Sequence, residues 1–240
     1  MHNIFINHLV ATKNFALDLL FPKFCVGCNV EGEWICNKCQ EKIVYIKSPL
    51  CPKCNRVSEY GKICPKCKKK SKLNGLITAT YYIDGPIKEA IHTYKYDGVF
   101  DLKYELSNIL LKSINNYKCI FDKNWIVIAV PIHKKRFAIR GYNQSELLAK
   151  IISKKLNIPL QNNLLIKSTY NPKTQAKSNK KERLISLINS FSWVGQNEIK
   201  NKKILLVDDV YTTGATMEEC AKILKTNGAK QVWGLAIAKD

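Results

Sequence analysis

The chain of 240 residues is 46% hydrophobic and 10% aromatic, a composition that builds a sizeable core and excludes a disordered tail. Lys and Arg number 39 against 19 Asp and Glu, so the formal net charge is +20, spread on both sides of Gly75. Such an excess fits polyanionic partners (nucleic acid, phosphorylated ligands, an anionic membrane surface) and equally a Lys-rich solvated surface, so charge alone selects no function.

Residues 1–22 read as an N-terminal helix. Ile4, Phe5, Leu9, Phe15, Leu19 and Leu20 recur at roughly helical spacing, and Pro22 ends the run. The expectation is a helix docked on the rest of the fold, ahead of a membrane-surface or partner helix. Asn7, His8, Lys13, Asn14 and Asp18 interrupt the apolar residues, so no secretory signal is read here. The sequence holds no run of about eighteen apolar residues, and no transmembrane segment is expected.

Residues 23–72 are poor in apolar residues and rich in Pro, Gly, Asn and Lys, so they need a metal in place of a core. Four C-x-x-C pairs lie here: Cys25/Cys28, Cys36/Cys39, Cys51/Cys54 and Cys64/Cys67. Each pair presents two thiolates to one metal, and two pairs complete a tetrahedral site. The segment is therefore expected to be a double zinc ribbon with two structural Zn²⁺ ions. Iron or an iron–sulfur cluster is the alternative for such soft ligands. Sequential pairing is preferred over a cross-braced one. An all-cysteine site has no open position, so the module is not read as catalytic. Metal-ligand spacing, in place of a disulfide framework, points to a reducing cytoplasm. Lys53, Arg56, Lys66, Lys68, Lys69 and Lys70, with Trp34 and Tyr60 as stacking faces, make the module a candidate nucleic-acid surface; the same aromatics equally suit a small core. Lys66–Lys72 reads as a polar exit from the module.

Residues 73–240 alternate strand and helix. Strands are expected over Ile77–Ile83, Trp125–Ile132, Ile204–Val207 and Gln231–Ala238, and helices over Pro86–Tyr96, Leu102–Ile114, Asn143–Leu156 and Thr213–Asn227. Runs such as WIVIAVPI and ILLV are apolar on successive residues, which suits parallel strands buried on both faces. The fold class is α/β, a parallel sheet flanked by helices behind the small zinc-ribbon module. Cys119 and Cys220 stand outside the pairs and are expected to be small buried hydrophobes.

Within this domain, Ile204–Thr216 (ILLVDDVYTTGAT) reads as a strand, two acids at its tip, a small-residue loop and a helix start. Ligands bind at that edge of an open α/β sheet. Backbone N–H groups of Thr212, Thr213, Gly214, Ala215 and Thr216 can ring an anion at the helix N-terminus. Asp208 and Asp209 stand where they can accept hydrogen bonds from two vicinal hydroxyls, so a sugar 5-phosphate satisfies both halves of the motif. A Walker B strand would need a G-x-x-x-x-G-K-[ST] loop, which the sequence lacks.

The segment resembles the loop that binds phosphoribosyl pyrophosphate (PRPP) in type I phosphoribosyltransferases, and the wider chain resembles the ComF/ComFC competence proteins of that superfamily. YKYDG (Tyr94–Gly98), VPIHKKR (Val130–Arg136), RGYNQSELLAK (Arg140–Lys150), Gln175 with KERL (Lys181–Leu184), Phe191 and the terminal NGAKQV carry the likeness. The family's Asn three residues after the Arg of its E-R motif is Ser186 here.

The resemblance implies that Asp208 and Asp209 hold the ribose hydroxyls and Thr212–Thr216 the 5-phosphate. It puts Lys134, Lys135 and Arg136 on the pyrophosphate side, with Arg140 joining them from a mobile loop. His133 is either a further phosphate donor or an ordinary loop histidine. Mg²⁺ would accompany PRPP or ribose 5-phosphate, held mostly by ligand and water oxygens. Implied partners are single-stranded DNA and a ComFA-like helicase/ATPase, with the protein serving DNA uptake in natural transformation. The alternative is a metabolic phosphoribosyltransferase acting on a base or amine, with a purely structural zinc module. A zinc-ribbon DNA-binding protein with a decayed pocket is disfavoured by the intact DDVYTTGAT.

Overall fold

Strands that are apolar on every residue need cover on both faces, and helices supply it on each side of one sheet. The structure is a computed structural model, and residues 22–170 and 189–240 are described. In chain order the elements are β1 (Gly75–Tyr81), α1 (Pro86–Tyr96), α2 (Lys103–Ile114), β2 (Trp125–Ala129), α3 (Lys134–Arg140), α4 (Gln144–Leu156), β3 (Leu165–Lys167), β4 (Phe191–Trp193), β5 (Lys203–Tyr211), α5 (Ala215–Thr226) and β6 (Gln231–Lys239). The N-terminal helix expected up to Pro22, together with Gln175 and Lys181–Leu184, lies outside the described residues.

β1, β6, β5 and β2 form the parallel sheet in that spatial order. Every residue of β2 is buried, as its unbroken apolar sequence requires. Strand alternation then divides the core. Leu205 and Val207 of β5 join α1, α2 and α4 in one apolar cluster. Ile204 and Leu206 join α5 and the small antiparallel pair β3–β4 in the other. Further backbone pairing closes both outer edges: Ile46 N–H donates to Ala79 O beside β1, and Gln161 N–H to Val127 O beside β2, each at 2.9 Å.

The expected strands and helices form within a few residues of their sequence bounds. Two pieces differ. Lys134–Arg140 is a helix, where the sequence reading had a basic turn and a mobile loop. His133 starts it by accepting Lys135 N–H on Nδ1 at 3.1 Å, and Gly141 ends it in the left-handed region at φ 80°. His133 is therefore a buried capping residue. The pair β3–β4, three residues per strand, was also not foreseen.

The ribbons dock differently. In the first, Cys25, Ile35, Cys39 and Ile43 belong to the apolar cluster of α1, α2 and α4. The second meets the edge of the sheet, where Ile63 N–H donates to Asn74 O at 2.9 Å, and the helix α5. Trp34 and Tyr60 both pack against the first cluster, Tyr60 edge-on to Tyr117 at 6.3 Å, so neither is an open stacking face.

Candidate functional site

Cys25, Cys28, Cys36 and Cys39 form one group, and Cys51, Cys54, Cys64 and Cys67 the other, with the four sulfurs of each group within 4.8 Å of one another. Sequential pairing is thus the observed one. Around a tetrahedral zinc with Zn–S near ~2.3 Å, sulfurs stand about 3.8 Å apart. Cys28–Cys36 at 3.5 Å and Cys54–Cys64 at 3.7 Å fit that spacing. One thiol of each group is held as an anion, while burial and the neighbouring thiols push Cys39 and Cys67 up to about 12. Burial would raise the pKa of Cys25, but N–H groups of Cys36, Gly27 and Cys28 turned toward its sulfur hold it at about 6. Cys51 repeats this at about 6, with Cys64, Lys53 and Cys54 as donors. The donor set fits two structural zinc ions.

At the other site, β5 carries the two acids near its C-terminal end, and Thr212–Gly214 turn into α5. Gly214 sits at φ 75° directly over the Tyr211 ring, where any Cβ would collide, so the loop closes only with glycine. Thr213 Oγ1 accepts Ala215 N–H at 3.3 Å and fixes the turn at the helix start. Asp208 Oδ1 accepts from Ser145 Oγ at 2.8 Å, placing the N-terminus of α4 beside the acids. Asp209 Oδ1 pairs with Lys95 Nζ, from the end of α1, at 2.8 Å. The second oxygen, Asp209 Oδ2, is buried and has no hydrogen-bond partner among the described residues. An unmet buried acceptor is costly and suits a ligand hydroxyl.

A cleft of about 270 Å³ opens over these groups, lined among others by Lys95, Arg136, Arg140, Lys167, Thr212 and Thr216. Burial, with Asp209 alongside, raises Asp208 to about 7. Burial opposes the charge on Lys95, yet Asp209 and Asp208 raise it on balance. Lys167 moves the other way, lowered first by burial and then by the charge of Arg136. Cations crowded together and partly desolvated favour an anion between them.

Of the residues singled out in the sequence, Asp208, Asp209, Thr212, Thr213, Thr216, Arg136 and Arg140 line this one cleft. Gly214 and Ala215 are buried beneath it as the turn and first residue of α5. Lys134 and Lys135 are not brought in: Lys134 lines a neighbouring cavity, and Lys135 Nζ lies 5.1 Å from the Tyr170 ring centre. On a helix they turn away from Arg136 and Arg140, the i and i+4 residues of α3 that share a face. Sequence reasoning missed Lys95, Ser145 and Lys167. Lys95 and Ser145 stand in the motifs YKYDG and RGYNQS, whereas Lys167 follows no pattern. Cys220 is buried, its thiol raised by burial, as expected of a small hydrophobe.

The fold and the paired sites define a phosphoribosyltransferase-type domain joined to a double zinc ribbon. Residues 143–238 match the phosphoribosyl transferase domain family, and residues 16–68 the double zinc ribbon domain. Competence protein F of Haemophilus influenzae is 32% identical over 227 residues, spanning 89% of this chain and 96% of that protein. Competence protein ComFC of Bacillus subtilis is 27% identical, over 82% of this chain and 80% of its own length. DNA utilization protein YhgH of Escherichia coli K12 is 29% identical, over 90% and 98%. The chain belongs to the competence protein F (ComF/ComFC) family. No helix among the described residues is long and apolar enough to cross a membrane.

Proposed function

We propose that the cleft binds PRPP or ribose 5-phosphate and that the protein uses this site in handling single-stranded DNA during natural transformation. One observation carries the ligand: two buried acids, one with an unmet oxygen, stand beside a glycine-closed helix N-terminus under a cluster of cations. Asp208 and Asp209 take the ribose 2- and 3-hydroxyls, and Asp209 Oδ2 gains its partner there. The N–H groups and hydroxyls of Thr212–Thr216 take the 5-phosphate. Arg136, Arg140 and Lys167 face the pyrophosphate, where fixed positive charge stabilises a departing anion. Mg²⁺, held mostly by ligand oxygens and water, would supply further charge at that end. Lys95 pairs with Asp209 Oδ1 and leaves Oδ2 for the sugar. The DNA half of the reading is supported by the family, whose members are named for competence and DNA utilization. A ComFA-like ATPase is the partner this reading implies.

The test is a melting curve with and without PRPP and Mg²⁺, with ribose 5-phosphate as a second ligand. Either ligand should raise the melting temperature, and Asp208→Ala with Asp209→Ala should abolish the rise; no rise in the unaltered protein would sink the ligand assignment. A transformation assay on a strain lacking the gene, complemented with the same double variant, then separates competence from salvage.

A further inference from the structure

We infer that a track of exposed rings and cations beside the cleft, running from Tyr96 to Tyr104, is the binding surface for a single strand of DNA. The inference rests on the DNA-handling reading above and adds where the strand lies. Rings of this size are normally buried, yet Tyr96, Phe100 and Tyr104 are 50%, 51% and 56% exposed. They come from consecutive short stretches: the last residue of α1, the turn after Gly98, and the first turn of α2. Each has a cation at hand. Arg140 lies 5.5 Å from the centre of the Tyr96 ring, and Lys103 Nζ lies 4.9 Å and 4.8 Å from those of Phe100 and Tyr104. Asp101 shares Lys103 at 3.6 Å and is itself half exposed, so it tempers that charge without cancelling it.

The track is continuous with the cleft. A second cavity of about 240 Å³, lined by Lys95, Tyr96, Gly98, Arg136, Ile139, Arg140 and Tyr170, shares its Lys95, Tyr96, Arg136 and Arg140 walls with the sugar-phosphate site. Rings with Arg140 at one end and Lys103 at the other, set against the exposed acids Asp97 and Asp101, suit a single strand, where bases stack and phosphates pair. A duplex hides its base faces and gains only the charge. A protein partner fits less well, because lysines are depleted from the centres of protein interfaces. The ribbons offer less ring surface, since Trp34 and Tyr60 both pack against the apolar cluster and only the half-buried Tyr60 has a cation, Lys62 Nζ, near its ring at 5.5 Å.

The experiment is fluorescence anisotropy with the full chain and a labelled oligodeoxythymidylate of about 20 nucleotides, long enough to cover one binding site. Phe100→Ala with Tyr104→Ala should weaken binding roughly tenfold or more, and Phe100→Trp with Tyr104→Trp should restore it. Neither ring lines the sugar-phosphate cleft, so the PRPP-induced melting shift should persist in both variants. That shift keeps the two readings separate: its loss in the unaltered protein strikes the ligand assignment, not the track. Unchanged affinity in the alanine variant overturns the track. So does equal binding of a duplex of the same length, or loss of binding only on Lys68→Ala, Lys69→Ala and Lys70→Ala. Tighter binding of oligouridylate by tenfold would replace DNA with RNA and overturn the assignment of the partner. If the alanine variant melts early, Phe100→Leu with Tyr104→Leu keeps apolar bulk without the flat ring and should weaken binding likewise.

Discussion

Cys39 of the first ribbon sits in the same apolar cluster as Ile87 and Tyr94 of α1, and a Cβ on Gly27 would touch Pro86 at the start of that helix. The second ribbon reaches the sheet domain by polar contacts instead. Glu218 of α5 gathers Lys53 Nζ at 2.8 Å, Ser71 Oγ at 2.6 Å and Lys72 N–H at 2.6 Å, while Lys239 donates to Asn55. Among the described residues, Tyr60 and Ile63 add part-buried apolar contact. The flanking residues explain the difference: Val26, Ile35 and Ile43 surround the first set of thiols, and Lys53, Asn55, Arg56 and Lys66 the second. One metal unit, used twice, serves once as part of the core and once as a clamp behind the Thr212–Gly214 loop.

Ligand loss should separate the two most strongly. Cys39→Ser and Cys67→Ser each remove one zinc ligand, and zinc quantification should show one ion lost in each case. In the first ribbon that loss also opens the apolar cluster, so Cys39→Ser should lower the melting temperature by about 10 °C or more. Cys67→Ser should cost less than half as much. Equal falls would mean that both ribbons are integral to the core, and the contrast would fail.

The next effect is titratable. Ile35 and Ile43, the aliphatic part of the first ribbon's docking, have no proton to lose, whereas β5, which leads into α5 and the second ribbon's contacts, bears Asp208 raised to about 7. An unfolded Asp releases its proton near pH ~3.9. Asp208 therefore contributes stability that is complete below about pH 4 and is lost as the pH rises through about 7. Asp208→Asn should remove that loss, raising the melting temperature of the free protein by on the order of 5 °C at pH 8 and by less at pH 5. A gain that does not grow with pH would show that the carboxylate is already ionised in the fold.

How much of this was legible beforehand follows from which signals are local. C-x-x-C spacing is local, so the two metal sites could be read directly and sequential pairing preferred over a cross-braced one. The apolar runs of β2 and β5 are local too, and so is the DDVYTTGAT loop. Lys95 and Lys167 reach the cleft only because α1 and β3 end beside β5, a fact of topology that no spacing encodes. The helical state of Lys134–Arg140 was hidden by a histidine cap, which seldom marks a helix start. That helix is what separates Arg136 and Arg140 from Lys134 and Lys135. The apparent stacking faces Trp34 and Tyr60 were lost to the core for the same reason of distance in sequence, and Tyr96, Phe100 and Tyr104 took their place at the surface.

Glu218 tests the contrast at its finest. Its N–H donates to Gly214 O at 2.9 Å, so the residue that receives Lys53, Ser71 and Lys72 is one helical turn from the glycine that closes the loop into α5. Glu218→Gln keeps the shape and one acceptor oxygen but removes the charge. Hydrogen bonds to a charged group exceed neutral ones by about 1 kcal/mol, so the melting temperature should fall by about 2–4 °C. If the second ribbon holds the loop in register, the affinity for ribose 5-phosphate should fall several-fold in the same variant, with both zinc ions retained. A stability loss with unchanged affinity would leave the second ribbon attached to α5 yet without influence on the loop. Lys53→Ala offers the matching control from the ribbon side: Lys53 contributes only one of three contacts and is partly exposed, so both effects should be smaller but in the same ratio.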